Sequence, residues 1–276
     1  MAKALEGVDF EAFEGAVAME SRRRMDAFLT GVERYRNADY QRSLEDPPIV
    51  WSEGSTRFLD YSGTGDGNGG APAPGRCVLL VPSLINRGYI LDLSQECSFA
   101  RWLAAQGFRP VLVEWGAPGA EERDFDLASY IARLERGFEA IHTSSPLAAR
   151  PAVLGYCMGG LLALALAIRR RDEVGRLALL AMPWDFHAPD AGPAARLSDF
   201  IQGYEPFLAT FGELPVDVIQ MLFFMLDPFS GVQKFSAFAS AAPDAAARFI
   251  ALEDWLNDGA PLTAGVAREC LRGWYG

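Results

Sequence analysis

The sequence contains very little histidine, and its few cysteines are not spaced for metal binding. Among 276 residues there are two histidines, His142 and His187, and four cysteines. The cysteines form no C-x-x-C pair, which favours a reduced, cytoplasmic protein and predicts no metal centre. No stretch suggests a bound cofactor, so none is expected. The four are Cys77, Cys97, Cys157 and Cys270.

Acidic residues outnumber basic residues in this sequence, and it has no apolar run long enough to cross a membrane. With 25 Lys and Arg against 36 Asp and Glu, the net charge is −11, which argues against a nucleic-acid partner. Met1 to Glu14 lacks the apolar core of a signal peptide. The longest uncharged run, Ala152–Ile168, is short for a membrane span and is interrupted by glycine. A strand, turn and helix is therefore preferred there to the alternative, a membrane span.

That run contains a turn motif with cysteine at its centre. Gly155-x-Cys157-x-Gly159 follows a short apolar strand and precedes a helix of small residues, which is typical of a nucleophile elbow. On such a tight turn the flanking residues approach strand and helix too closely to carry a Cβ atom, so both are glycine. The motif predicts Cys157 as a nucleophile at a helix N-terminus; the alternative is a small buried apolar residue.

Apolar strands alternate with helices in the first two thirds of the chain. The alternation predicts an α/β fold with a mostly parallel sheet covered by helices on both faces. A β-hairpin precedes it, and a flexible loop is expected over 62–75. The predicted strands are 49–51, 56–61, 77–81, 110–115, 153–156 and 177–181, and the helices are 99–106, 125–142 and 160–171.

Helical patterns dominate both ends of the chain. One helix is predicted over 10–38, and five follow Pro183 with no strand among them, over 194–208, 216–226, 229–240, 244–256 and 262–274. We expect an N-terminal helical segment (1–45), an α/β core (46–183) and a helical cap (184–276). The large apolar residues of the cap should mostly form its core, and some could line a tunnel for an apolar acyl or polymer chain. They are Phe200, Tyr204, Phe207, Phe211, Met221, Phe223, Phe224, Met225, Phe229 and Phe235.

Four stretches together resemble the polyhydroxyalkanoate synthases, which have an α/β-hydrolase fold. Val81–Leu93 resembles their segment after the third strand, and Gly155–Gly160 resembles their cysteine-bearing lipase-like box. Trp184–Phe186 is similar to the start of their cap, and Leu252–Gly259 to a later stretch with tryptophan and aspartate. The likeness runs from Val81 to the end of the chain.

The resemblance implies polymerisation of 3-hydroxyacyl-CoA thioesters by a Cys-Asp-His triad. Cys157 would attack the acyl-CoA carbonyl and release the CoA thiol. The oxyanion would lie against the N–H of Met158 and a second N–H at Ser83 or Leu84. The implied partners are the 3-hydroxyacyl-CoA substrate, a polyester granule and a second copy bound through the cap.

Three polar residues of the first stretch, Asn86, Tyr89 and Asp92, match the synthase segment. We expect them to fix the conformation of the loop after the third strand, with direct substrate contact as the alternative.

The resemblance breaks at the acid and base of the triad. In the synthases both follow two further strands beyond the cap, whereas here no histidine occurs after His187 and no strand pair after Leu262. We expect the sequence to be a truncated product or a fragment, or else a protein that has lost the triad. His187, close to Asp185, is the candidate substitute base; the alternative is a partly exposed histidine at the cap entry.

Three functions remain open at this point. The first is acyl transfer that forms polyester, and the second is hydrolysis of thioester or polymer by the same elbow. The third is a non-catalytic subunit that pairs with an active homologue, which the missing acid and base favour. Release of CoA from 3-hydroxybutyryl-CoA discriminates among them.

Overall fold

The structure is a computed structural model that describes residues 9–64, 77–143, 150–187 and 191–274. Most of the loop predicted over 62–75 lies outside these residues. The chain divides into two compact units, the smaller made of Met1–Gln41 with Met221–Glu253 and the larger of Arg42–Gln220 with Asp254–Gly276. The three-part division expected from the sequence remains a prediction.

A six-stranded sheet organises the larger unit, with the order β1-β2-β4-β3-β5-β6. The β1–β2 hairpin joins β4 antiparallel, and β4, β3, β5 and β6 run parallel. The sheet is therefore mostly parallel, as predicted. The strands are β1 (Ile49–Glu53), β2 (Thr56–Asp60), β3 (Cys77–Val81), β4 (Arg109–Glu114), β5 (Ala152–Tyr156) and β6 (Arg176–Leu180).

Helices cover both faces of the central strands. Every residue of β3 is buried, and because successive side chains point to opposite faces, Leu79 and Val81 join one apolar cluster while Val78 and Leu80 join the other. The first cluster packs beneath α3 and α4, and the second beneath α2. These helices are α2 (Phe99–Ala105), α3 (Leu127–Thr143) and α4 (Gly159–Arg169).

The sheet is less fully covered than the sequence suggested. Strand β6 has one neighbour, β5, and four of its five residues are exposed. Leu179 and Leu180 present apolar side chains at this edge. The predicted covering of the sheet by helices on both faces is confirmed for the central strands, whereas the edge strand β6 packs against fewer elements than a central one.

The helical part of the chain also differs from prediction in detail. The helices are α5 (Ala191–Phe211), α6 (Val216–Leu226), α7 (Ser230–Phe238), α8 (Pro243–Asn257) and α9 (Ala264–Arg268), and a π-helical turn over Glu269–Gly273 follows. Two short strands, β7 (Glu213–Leu214) and β8 (Leu262–Thr263), pair antiparallel where no strand was expected. Strands of two residues are too short to show an alternating pattern.

In the smaller unit, α1 (Phe10–Arg36) packs against α7. The Tyr35 and Phe235 rings meet edge to face at 5.7 Å, and the Arg34 guanidinium donates to the carbonyl of Phe238 at 2.8 Å. Asp9 caps α1 by accepting from the N–H of Glu11. The helix predicted over 10–38 is thus present and has packing partners within this chain.

The expectation that the large apolar residues after Pro183 are mostly buried is wrong. Six of them are exposed, and four of the six lie on α6, whose apolar residues are too many for the one face that carries the buried Val218 and Ile219. The six are Phe211, Met221, Phe223, Phe224, Met225 and Phe229.

Across the described residues, no helix combines the length and apolar character that crossing a bilayer requires. The uncharged run Ala152–Ile168 forms β5, a turn and most of α4.

Candidate active site

The turn between β5 and α4 holds Cys157 in a conformation that few residues adopt. Its φ is +53°, in the left-handed region that costs a non-glycine residue about 1–2 kcal/mol. Its N–H donates to the carbonyl of Leu180 at 2.9 Å, and its carbonyl accepts from the N–H of Gly160 at 2.9 Å. Bonds on both sides thus stabilise a strained turn, and such strain is concentrated at functional sites. The Cys157 side chain is half-buried.

The flanking glycines are explained by close backbone contact. A Cβ atom on Gly155 would collide with the Cα of Gly160 and lie 2.7 Å from the Cβ of Ala163. One on Gly159 would collide with the carbonyl oxygens of Val81 and Pro82, at the end of β3. The start of α4 therefore lies directly against the loop after β3.

We expect Gly159→Ala to destabilise the protein by about 2–3 kcal/mol, because the new methyl group meets backbone oxygens that cannot move freely. Gly203→Ala in α5 is the matched control: its Cβ would meet nothing within 4 Å, and alanine should stabilise the helix by up to about 1 kcal/mol. Urea unfolding of both variants checks this, and equal effects would contradict the packing argument.

The loops after β3 and β5 meet where the strand order reverses direction. From β3 the chain crosses to β4 on one side, and from β5 it continues to β6 on the other. In open parallel sheets ligands bind at this point, outside the carboxyl ends of the strands. Cys157 and the residues predicted to bind the oxyanion both lie there.

Three predicted oxyanion donors have unpaired backbone N–H groups. Ser83, Leu84 and Met158 are all buried residues, and among the described residues none of their N–H groups has a hydrogen-bond acceptor. Buried N–H groups are rarely left unpaired in folded proteins. Unpaired donors of this kind are what the predicted oxyanion-binding role requires.

The carbonyl groups of the loop after β3 are held by donors from elsewhere in the larger unit. The Trp115 indole donates to the carbonyl of Pro82 at 3.0 Å, and the Ala260 N–H donates to that of Ile85 at 2.8 Å. The Trp255 indole donates to the carbonyl of Arg87 at 2.8 Å. The loop conformation is thus fixed by residues to which sequence reasoning gave no role. The only signal was the resemblance of the stretch containing Trp255.

The polar residues of this segment lie at different depths. Asp92 is fully buried and accepts from Arg42, Arg101 and the hydroxyl groups of Tyr61 and Ser98, so it connects the loop to α2. Burial, and then the charge of Asp92, raise the pKa of Tyr61 well above its usual range.

Asn86 and Tyr89 are part of the same loop. Asn86 forms an isolated antiparallel bridge with Gly259. Burial, and then the charge of Asp258, raise the pKa of Tyr89.

The candidate substitute base is not joined to the thiol. His187 is exposed, and its backbone N–H donates to Asp185 Oδ1 at 3.0 Å, which stabilises the local turn. Within the described part of the chain, Cys157 has no side-chain hydrogen bond to His187 or to a carboxylate. Burial, and then the neighbouring Cys157, raise the pKa of Tyr156.

No protein-family model matches the chain. Curated relatives are found over most of its length. It is 27% identical over 252 residues to the poly(3-hydroxyalkanoate) polymerase subunit PhaC of Allochromatium vinosum, covering 89% of this chain and 69% of that protein. It is 28% identical over 233 residues to the subunit PhaC of Haloferax mediterranei, covering 82% of this chain and 46% of that protein. The chain thus spans between under half and about two thirds of these relatives' lengths.

Solved structures that align with the chain are more distant in sequence. A carboxyl esterase from Bacillus coagulans aligns with a TM-score of 0.49 and 14% identity, over 84% of this chain and 69% of that one. A thioesterase domain from the curacin biosynthetic pathway aligns with a TM-score of 0.45 and 16% identity, over 85% and 74%.

The resemblance predicted from the sequence is confirmed by the curated relatives. The strand order and the elbow between β5 and α4 are the structural evidence for the fold. The chain is a relative of the poly(3-hydroxyalkanoate) polymerases, built on an α/β-hydrolase fold.

Proposed function

We propose that this site transfers the acyl group of a 3-hydroxyacyl-CoA through a thioester on Cys157. The observation that carries the proposal is the left-handed Cys157 on a turn that contacts the loop after β3, with three unpaired N–H groups in buried residues of that turn and loop. A nucleophile and donors for the developing oxyanion are the two parts that acyl transfer needs. The relatives are named as polymerases of poly(3-hydroxyalkanoate), which supports a hydroxyacyl substrate.

In the first step the Cys157 Sγ thiolate attacks the thioester carbonyl carbon. The carbonyl oxygen becomes an oxyanion, which accepts hydrogen bonds from the N–H of Met158 and from Ser83 or Leu84. As the C–O double bond re-forms, the bond to the CoA sulfur breaks and CoA leaves as a thiolate that takes a proton from solvent. The acyl group is then held as a thioester on Cys157.

In the second step a hydroxyl group of another hydroxyacyl unit attacks this thioester. The hydroxyl proton goes to solvent, an ester forms, and the thiolate of Cys157 is regenerated. Because no imidazole is bonded to the thiol among the described residues, we expect slow acylation by this chain. Loss of a triad partner typically lowers the rate about a thousandfold or more.

Incubation of the 276-residue protein with 3-hydroxybutyryl-CoA tests the proposal. We expect CoA release by chromatography and a mass increase of one 3-hydroxybutyryl group on the intact protein. Polymer would indicate synthase activity, whereas free 3-hydroxybutyrate without polymer would indicate a hydrolase. The absence of both the adduct and CoA release would refute the proposal and would favour a non-catalytic subunit. Granule binding and a homodimer through the cap remain predictions.

A further inference from the structure

An apolar cavity of about 390 Å³ lies beside the elbow, within the larger unit. Its wall includes Met158 and Leu161 at the start of α4 and Ile131 on α3. Trp184, Phe186 and Trp274 complete it, and the last two rings stack with their centroids 4.9 Å apart. None of the described cap residues that the sequence suggested for a tunnel lines this cavity.

The cavity shares one residue, Met158, with the proposed site of chemistry. Met158 forms part of its wall and directly follows Cys157, and the N–H of Met158 is one of the unpaired donors. An acyl group bound at Cys157 would therefore have its carbonyl oxygen near Met158 and its alkyl chain next to the cavity.

The chemistry of the wall favours an alkyl chain over a polar ligand. Every residue that lines the cavity is apolar or aromatic, and none is charged. Its volume lies within the range of small-molecule pockets, about 300–1,000 Å³. At about 30 Å³ for a group the size of a water molecule, it would hold a chain of roughly ten to thirteen carbons.

We propose that this cavity is the subsite for the alkyl chain of a medium-chain acyl thioester. The inference rests on the proposed function and adds the substrate class: a linear acyl group of roughly ten to thirteen carbons, longer than butyryl. Each methylene group moved from water into the cavity should strengthen binding about fourfold until the cavity is filled.

Calorimetric titration of the 276-residue Cys157→Ala protein with CoA thioesters from butyryl to hexadecanoyl tests the inference. The CoA part is constant, so the change in dissociation constant with length reports on the chain alone. We expect affinity to rise with each added methylene group and to level off between about ten and thirteen carbons. Affinity independent of length, or rising without a limit, would overturn the proposal.

Two substitutions at one position should move that limit in opposite directions. Ile131→Trp fills the cavity, so affinity should level off at shorter chains and decanoyl-CoA should bind at least tenfold more weakly. Ile131→Ala enlarges it, so the limit should move to longer chains. A folding defect would weaken binding at all lengths, and an unchanged limit in both variants would contradict the subsite. Ile168→Trp on the exposed side of α4 is the control and should match the parent.

The two proposals fail in different ways. If Cys157-containing protein forms no adduct but binding still depends on chain length, the transfer chemistry is wrong and the cavity stands as an acyl site. If the adduct forms equally with all chain lengths and binding shows no length dependence, only the subsite is wrong.

Discussion

Replacing Cys157 with alanine should abolish the covalent acyl adduct, lowering its rate of formation at least a thousandfold. The expected reason is that Cys157 directly precedes Met158, whose N–H is unpaired among the described residues, on the turn that contacts the loop of Ser83 and Leu84. Burial raises the pKa of the Cys77 thiol to about 11 and that of Cys270 well above its usual range. Both should therefore stay protonated and shielded from a thioester. Intact-protein mass after incubation with 3-hydroxybutyryl-CoA measures the effect.

Cys97 provides the matched control, since it is an exposed thiol away from the elbow. We expect Cys97→Ala to form the adduct at the parent rate, and peptide mapping to place the acyl group on Cys157. An adduct that persists in Cys157→Ala but disappears in Cys97→Ala would show that surface thiol exchange, and not the elbow, carries the acyl group. Circular dichroism should show that both variants are folded.

Replacing Asp92 with alanine should destabilise the protein by about 3–5 kcal/mol. Asp92 is 0% exposed and bonds both Arg42 at 2.9 Å and Arg101 at 2.8 Å, each with about a fifth of its side chain exposed. Without the carboxylate, two largely buried guanidinium groups would lose their shared partner, and stranding a buried charge is costly. The hydroxyl groups of Tyr61 and Ser98 would also lose an acceptor. Urea unfolding followed by far-UV circular dichroism measures the loss.

The same chemical change at an exposed ion pair gives the control. Asp172 lies 4.0 Å from Arg171, and both side chains are over 80% exposed, so Asp172→Ala should change stability by less than about 0.5 kcal/mol. Asp92→Asn retains an acceptor oxygen and should cost less than Asp92→Ala. If Asp92→Ala and Asp172→Ala had equal effects, the buried network would not stabilise the fold as inferred.

The order of strands and helices could be predicted because its signals are local. Apolar runs such as Cys77–Val81 and glycines such as Gly155 and Gly159 carry the pattern within a few residues. The elbow was recognisable for the same reason. Exposure at β6 and on α6 was missed, because burial depends on which elements happen to lie alongside.

Contacts between distant parts of the chain could not be predicted. Asp92 bonds Arg42, fifty positions earlier in the chain. Arg87, in the loop after β3, accepts from Trp255, which is 168 positions later. No spacing in the sequence predicts such pairs, because they arise from the folded topology. The position of Cys157 was thus foreseeable, whereas the groups that hold the neighbouring loop were not.

At Cys157 the requirements of chemistry and of folding stability conflict, because a reactive side chain occupies a left-handed backbone conformation. Glycine would adopt this conformation without steric penalty, so a sequence chosen for thermal resistance alone would place glycine there. A side chain with a reactive sulfur is retained at a site where every alternative to glycine weakens the turn. Attempts to raise the thermal stability of this protein should therefore leave residue 157 unchanged and introduce stabilising substitutions at other positions.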